Sequence, residues 1–341
     1  MGLKIAIYGM GVVGRELLRT LWGLDGIEVT MLCDSVSTHN LAYLLKYDTI
    51  YHDAKLRDSV QANEDGIVIG DKEIKLYTET EIRNLPLGGY GVDLVIDCSG
   101  RFTKKEQLQG FIDAGAKHVM VCSPLGNDVP SIAYGVNQNT LLLSDTIISF
   151  ATMETQVLAS VLDALDGACD IEIASVKTVR SYTNSQPTID NYNPKDYALG
   201  RAAAWNITPI SDGFARAIGL VIPELNGRVT GYAYRAPVIN GSVMDVTAVV
   251  NALTDREQLN AQMKMESGVY DYNEDALCSS DALSYAFPQY LANSLIVNKL
   301  SDKQSTVSFT VVYDSVRGFC NKIAGFILSE NAKTEHSWWL Q

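Results

Sequence analysis

Apolar and polar residues along the first 125 positions follow a pattern that switches repeatedly between strand-like and helix-like. Short apolar runs bounded by glycine or charged residues are typical of buried strands, and longer amphipathic stretches are typical of helices. The pattern predicts strands at 3–8, 27–33, 92–98 and 118–122, with helices at 15–22 and 104–114. Because strands that alternate with helices form βαβ units, we predict an α/β fold with a doubly wound parallel sheet.

The first predicted strand ends in a glycine-rich turn. Gly9 permits a tight turn, Gly11 leaves room for a pyrophosphate, and Gly14 lets the following helix approach the strand closely. Val12 and Val13 lie within this turn, just before the predicted helix, whose N-terminal N–H groups and partial positive charge favour phosphate binding. The order of strand, glycine turn and helix therefore predicts a dinucleotide site.

An acidic residue, Asp34, ends the second predicted strand at the expected distance from the turn. Its carboxylate can accept hydrogen bonds from a ribose diol and would repel a 2′-phosphate, which favours NAD over NADP. A ligand of such a sheet binds at the carboxyl ends of the strands, which places it near Ser99, Gly100 and Ser123. The alternative is a glycine turn without a ligand and an aspartate that caps a loop.

Composition and charge narrow the class of protein. At roughly 100–200 residues per domain, a chain of this length predicts two domains. The net charge of −13 argues against non-specific binding to nucleic acid. No apolar run approaches the roughly 20 residues that span a bilayer, and the strand that starts at Leu3 leaves no room for a secretory signal. Six cysteines without a Cys-x-x-Cys motif or a pairing with histidine predict buried, reduced thiols, no metal site and a cytoplasmic protein.

Segments along nearly the whole chain match one known family. They are the glycine turn, residues 46–49, 98–103 and 135–137, and the long run AIGLVIPELNGRVTGYAYRAP at 217–237. In these segments the chain resembles the glyceraldehyde-3-phosphate dehydrogenases, with the erythrose-4-phosphate dehydrogenases as siblings.

The resemblance implies two domains and an oligomer. It implies a Rossmann NAD-binding domain at 1–151, completed by a C-terminal helix at 317–341, and an α+β mixed-sheet catalytic-type domain at 152–316. It also implies a homotetramer, since the loop that lines the neighbouring subunit's cofactor site in the family is kept in length at 186–206.

Two departures from the family concern the chemistry itself. Met153 occupies the position of the family's nucleophilic cysteine, and a thioether cannot become a thiolate. Arg180 occupies the position of the general-base histidine, and a guanidinium cannot accept a proton. Either change alone should abolish the phosphorylating aldehyde dehydrogenase reaction.

The anion-binding positions are partly retained. Thr183 and Arg235 match the substrate-phosphate site of the family, with Ser185 where an acid or a second threonine is usual. At the inorganic-phosphate site Thr152 and Gly213 remain, whereas Glu154 and Asp212 replace hydroxyl donors. Two carboxylates there oppose phosphate binding by like-charge repulsion.

The nicotinamide end differs from the family as well. Ser315 replaces the asparagine that anchors the carboxamide, and Phe319 replaces the tyrosine that packs the ring. The resemblance therefore implies NAD as cofactor, with reduced affinity or a less well oriented ring.

Met153, Glu154 and Arg180 should be neighbours, because their counterparts in the family touch. The favoured interpretation is a disused site filled by a Glu154–Arg180 ion pair and packed by Met153. The alternative is a new site in which Arg180 and Arg235 hold an anionic ligand and Glu154 acts as acid or base.

Three further features leave alternatives open. Cys320 is a packing residue or, less favoured, a relocated nucleophile. The tyrosine-rich stretch 268–273 is predicted to be a surface loop. Trp338 and Trp339 near the C-terminus either pack on their own domain or dock on a neighbouring subunit or partner.

Three functions fit these observations. The leading hypothesis is an NAD-binding pseudoenzyme with a binding or regulatory role. The second is a diverged NAD-dependent oxidoreductase that acts on a small anionic, phosphorylated carbonyl compound without a thioester. The third is a structural subunit of a mixed oligomer with an active paralogue.

Overall fold

The computed structural model describes residues 2–79, 81–194, 196–211, 213–331 and Trp338. The strands, in chain order, are β1 Leu3–Tyr8, β2 Ile27–Cys33, β3 Val60–Ala62, β4 Gly66–Ile69, β5 Lys72–Tyr77, β6 Leu94–Asp97, β7 His118–Val121, β8 Ile147–Ser149, β9 Ile171–Ser181, β10 Thr208–Ile210, β11 Val229–Ala236, β12 Ser242–Val250, β13 Asp271–Asn273, β14 Gln289–Lys299 and β15 Ser305–Tyr313. The α-helices are α1 Val12–Leu21, α2 Thr38–Lys46, α3 Ala54–Ser59, α4 Leu87–Tyr90, α5 Lys105–Asp113, α6 Met153–Cys169, α7 Ile218–Val221, α8 Arg256–Met265 and α9 Arg317–Asn331.

The chain divides into two compact units. Unit 1 comprises Met1–Ile132, Gln138–Thr152 and Cys320–Gln341, and unit 2 comprises Ala133–Asn137 and Met153–Phe319. Relative to the boundaries predicted from the sequence, unit 2 also holds 133–137 and 317–319, and Thr152 falls in unit 1.

Unit 1 is built on a sheet in the order β3-β4-β5-β2-β1-β6-β7-β8. The pairs that join β5 through β2, β1, β6 and β7 to β8 are parallel, which confirms the predicted parallel sheet. Every residue of β6 and β7 is buried, as expected where helices cover both faces of a parallel sheet. The antiparallel strands β3 and β4 at one edge were not predicted.

Helix α1 begins three residues earlier than predicted. Gly11 is its N-cap, so Val12 and Val13 are its first residues and their N–H groups lie in the turn that lacks intrahelical acceptors. Helix α5 matches the predicted helix within one residue at each end. The Gln107 side chain accepts hydrogen bonds from the backbone N–H groups of Thr103 and Lys104, which fixes its start.

Unit 2 is built on a mixed sheet in the order β10-β11-β9-β12-β15-β14-β13. Residues of β9 alternate between buried and exposed along most of its length, so one face of the sheet meets the core. The long helix α6 is buried over most of its surface and packs against α7 and α8. The opposite face of the sheet exposes apolar residues, namely Ile173, Val179, Tyr232 and Ile296.

The prediction of a surface loop at 268–273 was wrong. Residues Asp271–Asn273 form β13, which pairs with β14. Tyr270 is buried, and its hydroxyl donates to the Met263 carbonyl at 2.6 Å. The sequence pattern is too short here to show a strand, whereas pairing with β14 stabilises one.

Cys320 and Trp338, in the C-terminal part of unit 1, pack onto its glycine turn and its sheet, respectively. From Cys320 onward α9 belongs to unit 1, and the Cys320 thiol donates to the Val13 carbonyl at 3.6 Å. Trp338 is 2% exposed, with its ring 4.8 Å from that of His118 and 6.1 Å from that of Phe326. Of the two predicted alternatives, Trp338 therefore packs on its own domain, and Trp339 lies outside the described residues.

Among the described residues, no helix is long and apolar enough to cross a bilayer. The same ranges contain no group of three or more histidine, cysteine or acidic side chains placed to hold a metal ion.

Candidate functional site

The glycine turn has the close contacts that its spacing predicts. A Cβ at Gly14 would lie 2.0 Å from the Gly9 carbonyl oxygen, so only glycine allows α1 to approach β1 this closely. Gly9 has a φ of +92°, and a Cβ there would lie 2.7 Å from the backbone of Ser99. A Cβ at Gly11 would meet no atom within 4 Å, so Gly11 faces open space.

Asp34 joins the end of β2 to this turn. Its Oδ2 accepts a hydrogen bond from the Met10 N–H at 2.6 Å, and its Oδ1 accepts one from the Val36 N–H at 3.0 Å. Each carboxylate oxygen has two lone pairs, so both can still accept from a ligand hydroxyl.

A cavity of about 240 Å³ opens beside the turn in unit 1. Residues that line it include Gly9, Gly11, Asp34, Ser99, Cys98 and Arg101. Arg101 was not predicted, although it follows the Ser99-Gly100 pair directly; its guanidinium donates to the Tyr8 hydroxyl at 3.1 Å. The open space at Gly11, the N-terminus of α1 and the Asp34 acceptors fit a dinucleotide.

Ser99, Gly100 and Ser123 follow β6 and β7 as predicted. The Ser99 N–H donates to Asp97 Oδ1 at 2.9 Å, and Gly100 has a φ of +64° with open space around it. The Ser123 carbonyl accepts from the Ser149 hydroxyl at 2.8 Å. Within the described part of the chain, the buried Ser123 Oγ has no hydrogen-bond partner of its own.

Met153 is the first residue of α6 in unit 2 and is 5% exposed. A Cβ at Gly318 would lie 2.8 Å from Met153 Cε, so the thioether side chain packs directly over that glycine. Just before the helix, Ala151 has a φ of +52°, a strained conformation for a residue with a Cβ. Met153, two residues after this strained position, packs as an apolar group.

Glu154 and Arg180 form the predicted ion pair. Arg180 Nη1 lies 2.7 Å from Glu154 Oε1, and the side chains are 4% and 10% exposed, respectively. Glu154 lies in the first turn of α6, where the helix dipole favours a carboxylate. The prediction of a Glu154–Arg180 ion pair is therefore confirmed.

A second arginine lies beside the pair on the next strand. Arg235 in β11 is in register with Arg180 in β9 and with Thr208 in β10. Its Nη1 donates to the Ser181 carbonyl at 2.8 Å. Thr208 was not predicted, because only strand register places it next to Arg235.

The remaining anion-site residues are placed as follows. The Thr183 and Ser185 hydroxyls lie 2.9 Å apart and hydrogen-bond to each other. Thr152 is the last residue of its segment in unit 1. Asp212 lies outside the described residues.

Ser315 hydrogen-bonds to a residue that sequence reasoning missed. Its hydroxyl lies 2.8 Å from that of Ser242. Next to it, Asp314 Oδ1 accepts from the N–H groups of Val316 and Arg317 at 2.8 and 2.9 Å, which caps the start of α9. Phe319 is buried in the first turns of that helix.

The cysteines are less uniformly buried than predicted. Cys33, Cys169 and Cys320 are buried, whereas Cys98 and Cys122 are half-buried and Cys278 is exposed. The Cys98 and Cys122 sulfurs lie 3.8 Å apart. Their proximity follows from the pairing of β6 with β7, which a linear motif search does not detect.

Comparisons with known proteins match segments of both units to the same family. Residues 3–105 match a family model described as glyceraldehyde 3-phosphate dehydrogenase, NAD binding domain, and residues 153–315 match the C-terminal domain of the same family. The chain is 39% identical to the glyceraldehyde-3-phosphate dehydrogenase of Lactobacillus delbrueckii subsp. bulgaricus over 83% of this chain and 85% of that protein. It is 34% identical to the enzyme of Clostridium pasteurianum over 94% and 96% of the two chains. For the enzyme of Streptococcus pyogenes serotype M1 the identity is 36% over 84% and 86%.

Proposed function

The chain belongs to the glyceraldehyde-3-phosphate dehydrogenase family and is an NAD-binding member of it, and from that premise we propose that it has lost the phosphorylating oxidation of an aldehyde. The observation that carries this proposal is the buried Glu154–Arg180 ion pair. Where a thiolate and a neutral imidazole are needed, the chain has a thioether and a carboxylate-bound guanidinium.

The chemical argument is independent for each position. Met153 has no proton to lose and cannot form a thioester with a substrate carbonyl. Arg180 stays protonated at any physiological pH, so it cannot act as a general base. Glu154 adds a carboxylate at the α6 N-terminus, which stabilises Arg180 and repels an incoming phosphate.

We propose that NAD binds to unit 1 through its glycine turn and strand ends. Gly9, Gly11, Gly14 and the first residues of α1, Val12 and Val13, would hold the pyrophosphate, and Asp34 would accept the ribose hydroxyls. Ser99, Gly100 and Ser123 would line the rest of the site. When bound, NAD supplies a hydride acceptor.

A second candidate function keeps redox chemistry but uses a different substrate. Arg180 and Arg235 are paired in register, Glu154 forms an ion pair with Arg180, and the Thr183 and Ser185 hydroxyls hydrogen-bond to each other just after β9 in the chain. This arrangement favours a small anionic carbonyl compound that would be reduced or oxidised by direct hydride transfer without a thioester.

We also propose a homotetramer in the cytoplasm. In unit 2 the segment 186–206 exposes Ile189, Tyr192, Tyr197 and Trp205, and the free face of its sheet is partly apolar. Exposed apolar residues in such number favour burial against another subunit. A mixed oligomer with an active paralogue would use the same surface.

The direct test separates binding from turnover. Purified protein mixed with NAD, glyceraldehyde 3-phosphate and phosphate should form no NADH above the protein-free background, while calorimetry should detect NAD binding. Steady NADH formation would overturn the proposed loss of activity.

A matched pair of variants tests the role of Asp34 in NAD binding. Asp34→Ala removes a charged acceptor and should weaken NAD binding by about 10- to 100-fold, from about 1.5–3 kcal/mol per charged hydrogen bond. Asp25→Ala removes an exposed carboxylate in the same unit and should leave NAD binding unchanged. Equal NAD affinity in the two variants would contradict the assigned role of Asp34.

A further inference from the structure

Two thiols lie side by side at the carboxyl ends of β6 and β7. Asp97 pairs with Val121 in these parallel strands, and the next residues are Cys98 and Cys122. The Cys122 N–H donates to the Asp97 carbonyl at 2.9 Å, so the register continues beyond the strands. The two sulfurs are 3.8 Å apart.

This geometry is compatible with a disulfide. Neighbouring strands lie about 4.8 Å apart, which falls within the range of about 4.4–6.8 Å between the Cα atoms of disulfide-bonded cysteines. An S–S bond of about 2.05 Å would require the sulfurs to approach by about 1.8 Å. Rotation about the Cα–Cβ bonds can supply most of that movement.

The two thiols differ in access. Cys98 is half-buried and lines the 240 Å³ cavity together with Gly9, Gly11 and Asp34, so a small solute in the cavity can contact this residue. A hydrogen bond to Cys98 and burial together raise the pKa of the Cys122 thiol well above its ordinary value. Cys122 therefore stays protonated and can donate its proton toward the Cys98 sulfur.

Cys33 also borders this cavity but is an unsuitable competitor. It is buried, and burial raises the pKa of its thiol to about 12. A thiol that is this deeply buried reacts slowly with an oxidant, because the oxidant has little access to its sulfur. Cys98 is thus the thiol of the cavity wall that has both access and a neighbouring thiol.

We propose that Cys98 and Cys122 form a reversible disulfide in the wall of the dinucleotide cavity, with hydrogen peroxide as oxidant, and that bound NAD opposes its formation. The Cys98 sulfur attacks one peroxide oxygen, which forms an S–O bond, breaks the O–O bond and releases water with the thiol proton. The Cys122 sulfur then attacks the sulfenic sulfur of Cys98. An S–S bond forms, the S–O bond breaks, and a second water leaves with the Cys122 proton.

The position of the pair explains its effect on the cofactor. Ser99, the residue after Cys98, lies so close to Gly9 that a Cβ at Gly9 would be 2.7 Å from its backbone. A change at Cys98 is therefore transmitted to the glycine turn. Because binding equilibria are reciprocal, a disulfide that is disfavoured by NAD must also weaken NAD binding.

The test is a mass-spectrometric map of the reduced full-length protein after treatment with hydrogen peroxide and trapping of free thiols with N-ethylmaleimide. We expect a linked peptide pair that contains Cys98 and Cys122, and its loss on treatment with dithiothreitol. Cys320→Ser should keep this link, whereas Cys98→Ser should lose it. Absence of the linked pair from oxidised wild-type protein would overturn the proposal, and that result does not depend on any variant folding.

The cofactor arm measures the rate of link formation with and without NAD. If only the NAD-free protein reacts, NAD at ten times its Kd should slow the reaction by about elevenfold. The reaction of N-ethylmaleimide with the exposed Cys278 serves as the control and should not change. Slowing of less than about twofold would overturn the coupling between the disulfide and NAD. Neither arm depends on whether the protein oxidises an aldehyde.

Discussion

Removing either partner of the buried Glu154–Arg180 pair should destabilise unit 2, and the loss of stability should depend on which partner is removed. The perturbations are Glu154→Gln and Arg180→Met, which keep the approximate size of each side chain and remove its charge. With side chains that are 10% and 4% exposed, both groups have lost most of their hydration. Removing one partner of such a pair costs about 3–5 kcal/mol, because the other charge stays buried.

The structure predicts which variant is less stable. In Arg180→Met the remaining carboxylate still lies in the first turn of α6, where the helix dipole contributes about 0.3–2 kcal/mol. In Glu154→Gln the remaining guanidinium is buried beside the register-paired Arg235, a like charge. We therefore expect the free energy of unfolding to fall by about 3–5 kcal/mol in Glu154→Gln and by about 2–3 kcal/mol in Arg180→Met.

Differential scanning calorimetry at pH 7 measures the effect as a change in Tm. At about 2–4 °C per kcal/mol for a unit of this size, Glu154→Gln should lower Tm by roughly 6–20 °C. The double variant should be more stable than either single variant, because neither charge then stays buried without the other.

Two results would refute this reasoning. A Glu154→Gln variant whose Tm stays within about 2 °C of wild type would mean that the pair contributes under about 1 kcal/mol. An additive double variant would mean that Glu154 and Arg180 are not energetically coupled.

Three further predictions follow from local geometry. The double variant Met153→Cys, Arg180→His should form no NADH above background, because the Glu154 carboxylate remains next to the new cysteine. Turnover tenfold above background would contradict this prediction. Gly14→Ala should lower Tm much more than Gly11→Ala. The Cβ of an alanine at position 14 would lie 2.0 Å from the Gly9 carbonyl oxygen, whereas an alanine at the helix N-cap, position 11, costs about 1 kcal/mol. Equal Tm values for the two variants would contradict this prediction. Burial lowers the pKa of Lys322 to about 7, so the unfolded chain binds the extra proton and stability should rise from pH 7 towards 10. In Lys322→Met, stability measured by urea unfolding should no longer rise over this pH range. An unchanged dependence of stability on pH would contradict this prediction.

Much of unit 1 could be predicted from local patterns. The apolar runs, the glycine turn and the strand-ending Asp34 occur in one order, and each is explained by contacts within a few residues or with the adjacent strand. The start of α1 and the edge strands β3 and β4 could not be placed so well, because short segments gain their conformation from the neighbour they pair with. The wrong prediction of a loop at 268–273 has the same cause, since β13 exists through its pairing with β14.

For the candidate site in unit 2, the sequence shows the types of the side chains but not all of the residues that lie together there. The proposal that a thiolate and a base are missing rests on the identities of Met153 and Arg180, which the sequence alone provides. Thr208 and Ser242 carry no sequence signal, because strand register and side-chain direction place them beside Arg235 and Ser315.

The sequence by itself determined which groups stand at residues 153 and 180, and in any fold a thioether cannot become a thiolate and a guanidinium cannot act as a base. It also determined the dinucleotide-binding segment, whose glycines act through their own backbone. Only the tertiary structure decided which side chains these residues contact. Residues 26 positions apart became the Glu154–Arg180 ion pair, and residues 24 positions apart became the Cys98–Cys122 contact. Such contacts depend on helix packing and strand register, which bring together side chains that no local pattern relates.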